Sequence, residues 1–225
     1  MRRMGTLYLV RHGQASLGAA DYDQLSPLGT RQCQALGEYL AERGLQFEAV
    51  LRGSLRRHVQ SLAALSAGHG RLPEALEWPG LNEYDGEALV RAIHSGPAPD
   101  AHTPEGYRQH FRLLRQGLAS WMDGSSAPVG LPAYADWVAG IMAALDHVRA
   151  AHTGNVLVVS SGGPIATAVA QVLGASPATS IELNMRIRNS ALTELAFTAR
   201  RLMLVTFNHV PHLDRADRVD WVTHS

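Results

Sequence analysis

Arg11 and His12 stand side by side at the end of a short apolar run, Leu7-Tyr8-Leu9-Val10, and Gly13 closes them at once. A guanidinium grips phosphate or carboxylate oxygens through a planar fork, and an imidazole can attack or exchange a proton. Three other polar groups stand at comparable places. Arg57 lies in GSLRRHVQS after an apolar run at residues 47 to 51, Glu83 lies in LNEYDGE after the short WPGL stretch, and Ser160-Ser161-Gly162-Gly163 follows NVLVV. Glycines that open a helix offer free N–H groups and the positive end of its dipole to an anion. Two arginines, a histidine, a carboxyl group and such a turn point together to phosphoryl chemistry.

The elements that carry these residues alternate. The apolar run at residues 7 to 10 reads as a buried strand, and Ser26-Pro27 as the capped start of a helix that runs to a glycine stop at Gly44. A second strand is expected at residues 47 to 51, a helix at 55 to 67, the clearest buried strand at 155 to 160 and a helix at 164 to 173. Two more strands are expected at 191 to 197 and 202 to 207, joined by a turn at Ala199-Arg200-Arg201. Strand–helix alternation with near-continuous apolar strands predicts an α/β fold, a three-layer α/β/α sandwich around a mostly parallel sheet. Ligands bind such sheets outside the carboxyl ends of the strands, where the four polar groups fall. The chain reads as a single domain over residues 1 to 225, with residues 84 to 150 as a helical insertion over the active-site end. Two Gly/Pro/Ser-rich interruptions, HSGPAPDAHTPEG and DGSSAPVGLP, break that insertion. The final VPHLDRADRVDWVTHS reads as a tail.

Composition narrows the chemistry. Acidic and basic residues balance at 20 each, so nucleic acid and an acidic membrane surface are not expected partners. All basic residues are arginine, which excludes a P-loop lysine, a Schiff base and a lysine base. Cys33 is the single cysteine, so no intrachain disulfide or cysteine metal cluster can form. With no apolar segment of membrane-spanning length and no signal-peptide pattern, a cytoplasmic protein is expected. No sequence feature sets an oligomeric state.

In these blocks the chain resembles the histidine phosphatase superfamily, the phosphoglycerate mutase-like proteins. LVRHGQA resembles its Arg-His-Gly signature, YDQLSPLGTRQCQALG the segment after it, GSLRRHVQS the block of the second phosphate-binding arginine, LNEYDGE the acid-bearing block, and VLVVSSGGPIA the block of a second histidine. The resemblance implies a phosphoglycerate mutase-like sandwich in which His12 takes up the phosphoryl group as phosphohistidine before water releases it. It implies Arg11 and Arg57 as the arginines that hold the phosphate, and Glu83 as proton donor to the leaving oxygen. Two departures stand out: Gly53 and Ser54 occupy the usual serine and proline of the second block, and the second histidine falls at Ser161.

Ser161 and Gly162 remain candidate phosphate contacts, with a helix-capping serine as the alternative. Ser161→His is expected to raise turnover roughly tenfold, about 1.4 kcal/mol of transition-state stabilisation. His58, beside Arg57, is expected to point elsewhere and be structural. Gln14 and His209 are further pocket candidates, while the His209/His212 spacing could suit a metal pair; no metal and no cofactor are expected. The expected activity is hydrolysis of a small phosphomonoester, with inorganic phosphate or sulfate fitting the same pocket. Two alternatives stay open: a catalytically weak phosphate-binding or regulatory module, which Ser161 favours, and a mutase-type phosphotransferase.

Overall fold

The elements follow in the order β1 (Gly5–Arg11), α1 (Pro27–Glu42), β2 (Ala49–Arg52), α2 (Arg56–His69), β3 (Ala75–Glu77), α3 (Gly86–Ile93), α4 (Pro104–Met122), α5 (Tyr134–Ala151), β4 (Asn155–Ser160), α6 (Gly162–Leu173), α7 (Pro177–Asn184), β5 (Leu192–Thr198) and β6 (Arg201–His209). They are those of a computed structural model that describes residues 4–16, 23–97, 99–100 and 103–224. Part of the HSGPAPDAHTPEG interruption, part of the YDQLSPLG segment and the first three residues lie outside the described residues.

Among the described residues one six-stranded sheet has the order β3-β2-β4-β1-β5-β6. β1 pairs in parallel with β4, and β2 in parallel with β4 and β3, while β5 is antiparallel to both β1 and β6. Only β5 therefore runs against the rest, and the sheet is mostly parallel as expected. Side-chain alternation sends Leu7, Leu9, Val156 and Val158 to one face, where they pack with Ile141, Leu145 and Val148 of α5 and Ile165 of α6. The other face carries Tyr8, Val10, Leu157 and Val159 against Leu36 and Leu40 of α1 and Leu65 of α2. The three layers follow from that period of two.

Local chemistry explains the element ends. Ser26 caps α1 by accepting the Gly29 N–H at 3.0 Å, and Gly44 lies just beyond it at φ +66°. The strand at residues 155 to 160 forms as expected, but α6 begins at Gly162, two residues before Pro164. β3 and α7 go beyond the expectations: β3 has three residues, and α7 is a short, weakly amphipathic helix capped by Ser176. Residues 84 to 150 contribute α3, α4 and α5, and α5 lies along the sheet face in the core described above. The C-terminal segment folds back in two 3₁₀ turns, Pro211–Leu213 and Ala216–Trp221. Gln32 of α1 holds it, donating to the Trp221 carbonyl at 2.6 Å and the Thr223 hydroxyl at 3.0 Å.

The sheet register gathers the polar residues. Arg11 at the end of β1 lies opposite Ser160 at the end of β4, Arg52 of β2 lies opposite Val159, and the Gly53 N–H donates to the Val159 carbonyl at 3.2 Å. Three neighbouring strand ends thus feed their loops onto one rim.

Candidate active site

His12 is the first residue past β1, and its backbone stays tied to the rim: its N–H donates to Ser160 O at 2.9 Å and its carbonyl accepts from Ser190 N at 3.1 Å. The imidazole is buried, with Nδ1 2.7 Å from the Gly13 carbonyl. A carbonyl only accepts, so Nδ1 carries the hydrogen and Nε2 keeps the lone pair. Burial, then the positive charges of Arg11 and Arg57, hold the imidazolium well below the ordinary histidine range. The two charges that add to burial in keeping His12 neutral also favour an anion beside it.

Gly13 lets this loop lie on α1. A Cβ on Gly13 would come 2.3 Å from Gly29 O, and one on Gly29 would come 2.2 Å from Gln14 O. The Gly13 N–H donates to Ser61 Oγ of α2 at 3.1 Å, which ties the loop to the helix that bears Arg57.

Arg11 donates through Nη1 to the Ile187 carbonyl and, at 3.2 Å, to the His224 carbonyl. Arg57 is buried and pairs through Nη1 with Asp23 Oδ1 at 2.7 Å, while Asp23 Oδ2 accepts the Arg56 N–H at the start of α2 at 2.8 Å. Asp23 is a residue the sequence did not single out. Glu83 follows the 3₁₀ turn Pro79–Leu81 and lies against the first turn of α6, where Oε2 accepts the Gly163 N–H at 2.9 Å. Burial raises its pKa; the Gly163 N–H, Arg57 and Arg11 oppose that rise. Asn82 latches this loop to the one after β2, accepting the Ser54 N–H at 2.8 Å and donating to Ser54 Oγ at 2.7 Å.

Ser161 is buried at the N-cap of α6, yet its hydroxyl makes no cap hydrogen bond. It meets His58 Nε2 at 2.7 Å instead. His58 is buried and its ring lies 6.0 Å from that of His12, so it points into the site, against the expectation that it would point away. Burial first, and the charges of Arg57 and Arg52 after it, lower its pKa to about 3. Gly162 borders Arg11: a Cβ there would lie 3.6 Å from Arg11 Nε.

Gln14 and His209 are placed differently. Gln14 Oε1 accepts the Ser26 hydroxyl at 2.8 Å, which builds the loop onto the α1 cap. His209 is exposed and lines a separate cavity of about 440 Å³ with Arg188 and Arg215, a cavity lined by none of His12, Arg57, Glu83 and Ser161. His212 is buried and meets Ser190 Oγ at 2.8 Å. No three of the histidine, cysteine, aspartate and glutamate side chains group to hold a metal ion among the described residues. No helix among them is long and apolar enough to cross a membrane.

The family model for the histidine phosphatase superfamily, branch 1, matches residues 7–210, from β1 to just past β6. The chain belongs to that superfamily. Its fold matches solved structures of similar size: mycobacterial hydrolase 1, 23% identical with a TM-score of 0.67 over 92% of this chain and 100% of that one. A phosphoserine phosphatase variant from Entamoeba histolytica, solved with phosphoserine, is 19% identical with a TM-score of 0.65 over 93% of this chain and 99% of that one. A phosphoglycerate mutase from Bacillus anthracis is 16% identical with a TM-score of 0.64 over 94% and 96%. No curated protein matches the chain. The match to the histidine phosphatase superfamily spans the Arg11-His12-Gly13 rim, Arg57, Glu83 and Ser161.

Proposed function

We propose that the protein is a phosphatase that hydrolyses a small phosphomonoester through a phosphohistidine at His12. The observation that carries this reading is the tautomer of His12: Nδ1–H given to the Gly13 carbonyl, and Nε2 left neutral with its lone pair beside two guanidiniums. Nε2 attacks phosphorus, the P–O bond to the leaving group breaks, and Glu83 gives its proton to the departing oxygen. Water then attacks the phosphohistidine, Glu83 accepts its proton, and the N–P bond breaks to release phosphate and neutral His12. A carboxyl raised in pKa by burial suits the first step, and its carboxylate the second.

Arg11 and Arg57 hold the nonbridging oxygens and the charge that spreads over them as the group transfers. Arg57 would exchange part of its pairing with Asp23 for substrate. Because the arginines supply the positive charge, turnover is expected to survive exhaustive chelation. Ser161 and Gly162, next to Arg11 and at the start of α6, border the same oxygens. The family supports phosphoryl chemistry, and phosphatases among the structural matches are consistent with hydrolysis.

A panel of phosphomonoesters, assayed with the wild-type chain and with His12→Ala, tests the reading. Phosphate release from at least one ester, lost by about 10³-fold or more in His12→Ala, is expected, the scale seen when a covalent nucleophile is removed. Hydrolysis retained by His12→Ala overturns the assignment.

A further inference from the structure

Arg57 and His58 are adjacent on the first turn of α2, and both are turned into the rim. His58 Nε2 meets Ser161 Oγ at 2.7 Å, while Nδ1 is buried with no hydrogen-bond partner among the described residues. A buried polar atom left without a partner costs stability, so an imidazole held this way calls for a purpose beyond packing. The backbone makes room for it. A Cβ at position 53 would lie 2.2 Å from His58 Nδ1 and 2.7 Å from Cε1, so the glycine at 53 is what admits the ring. The two departures from the family pattern, at 53 and at 161, therefore meet at one side chain.

We propose that His58 and Ser161 act as one phosphate-facing group, in which the imidazole holds the Ser161 hydroxyl with its O–H directed at a nonbridging oxygen of the bound phosphoryl group. This deepens the proposed function and rests on its reading of the pocket as a phosphate site. Ser161 touches the anion, and His58 is a positioning residue that acts through it.

The hydrogens balance in only one arrangement useful to an anion. If Ser161 donates to Nε2, the hydroxyl can offer a phosphate oxygen nothing but a lone pair, which repels it. If Nε2–H donates to Oγ, the O–H is released toward the anion, and the unpartnered Nδ1 is left as a bare lone pair. Bound phosphate selects the second tautomer. Ser161 is available for this because its hydroxyl does not cap α6. His58 thus supplies from α2 an imidazole to the place where the family pattern sets one at 161. The imidazole expected to be missing from this site is present, attached elsewhere.

The test is titration of inorganic phosphate by calorimetry into the full chain, Ser161→Ala, His58→Ala, the double alanine variant and the exchange variant His58→Ala/Ser161→His. Each single alanine variant is expected to weaken phosphate by about tenfold, the scale of one hydrogen bond to a charged group. The double variant is expected to lose about the same tenfold, not the product of two losses, because the pair acts as a unit. The exchange variant, with the imidazole on the opposite side of the contact, is expected to recover affinity to within about threefold of wild type.

Independent, multiplying losses overturn the proposal, as does unchanged affinity in Ser161→Ala, a variant that removes a single oxygen and keeps the test open if His58→Ala fails to fold. No phosphate binding by the wild type also overturns it. A phosphoryl group found on Ser161 does so too, since a hydroxyl 2.7 Å from an imidazole is then a nucleophile with its base. Binding needs no turnover. A chain that shows this coupling and hydrolyses no ester supports the pair and contradicts the hydrolytic reading.

Discussion

Glu83 sits between two opposing influences, burial that favours the neutral acid and the N–H and arginine contacts that favour the carboxylate, and burial wins. With its pKa raised, the acid form persists to higher pH than an ordinary glutamate, and the rate of leaving-group departure should fall as pH rises through that pKa. Glu83→Gln should flatten this alkaline limb. It should also slow alkyl phosphates far more than aryl phosphates, whose leaving groups need no proton. Equal loss on both classes contradicts the role. His12 titrates on the other side: its pKa lies well below 6.5, so it is neutral across the working range and adds no limb near neutrality. Arg11, His12, Arg57 and Glu83 were legible as residues because their types and strand-end places agree. His58 was not, because adjacent helical residues project about 100° apart and one of them usually meets solvent. On the first turn of α2 Arg56 and Val59 are exposed while Arg57 and His58 between them are both buried, so two adjacent directions lead inward. The expected gain from Ser161→His alone is revised accordingly: a second ring at 161 would enter the space of the His58 imidazole, and a fall in phosphate affinity is now expected unless His58 is removed too.

At the level of elements, the rim depends on close backbone approach. The Arg-His-Gly loop lies on α1 through Gly13 and Gly29, and a Cβ on Gly13 would stand 2.3 Å from a backbone oxygen that has no freedom to rotate away. Gly13→Ala should lower stability by about 1–3 kcal/mol, the cost of overpacking a tight contact, read as a lower urea midpoint. An unchanged midpoint contradicts the packing argument. The helix starts with strong local signals were readable: Ser26-Pro27 gave α1 its cap, and NVLVVS gave β4 its length. β3 and α7 were not, for a physical reason. Three strand residues and a short helix with little amphipathic pattern hold their shape through neighbours, β3 through pairing with β2 and α7 through Ile181 packed with Leu89, Leu118 and Trp121.

At the scale of the whole molecule, two buried histidines link stability to pH. His58 and His212 are buried with pKa values lowered to about 3, whereas the unfolded chain protonates them near 6.5. Between pH 6.5 and 3 the unfolded state therefore binds more protons, and stability falls as pH drops through that window and is independent of these groups above it. Urea midpoints at pH 7 and pH 4.5 should show the fall, with a shallower fall in His212→Gln; an unaltered slope in that variant contradicts it. The C-terminal segment, read from sequence as a tail, is tied in through Gln32 and Thr223 and brings the His224 carbonyl to Arg11. Such long-range closure leaves no local pattern in the sequence. The proposed function turns on one atom, Nε2 of His12. The most direct measurement is therefore to quench the wild-type chain during turnover of a phosphate-labelled ester and locate the label by mass spectrometry under acid-sparing conditions. An acid-labile phosphoryl group on Nε2 of His12, absent from His12→Ala, is expected. An acid-stable label on Ser161, or turnover with no label on His12, would contradict it.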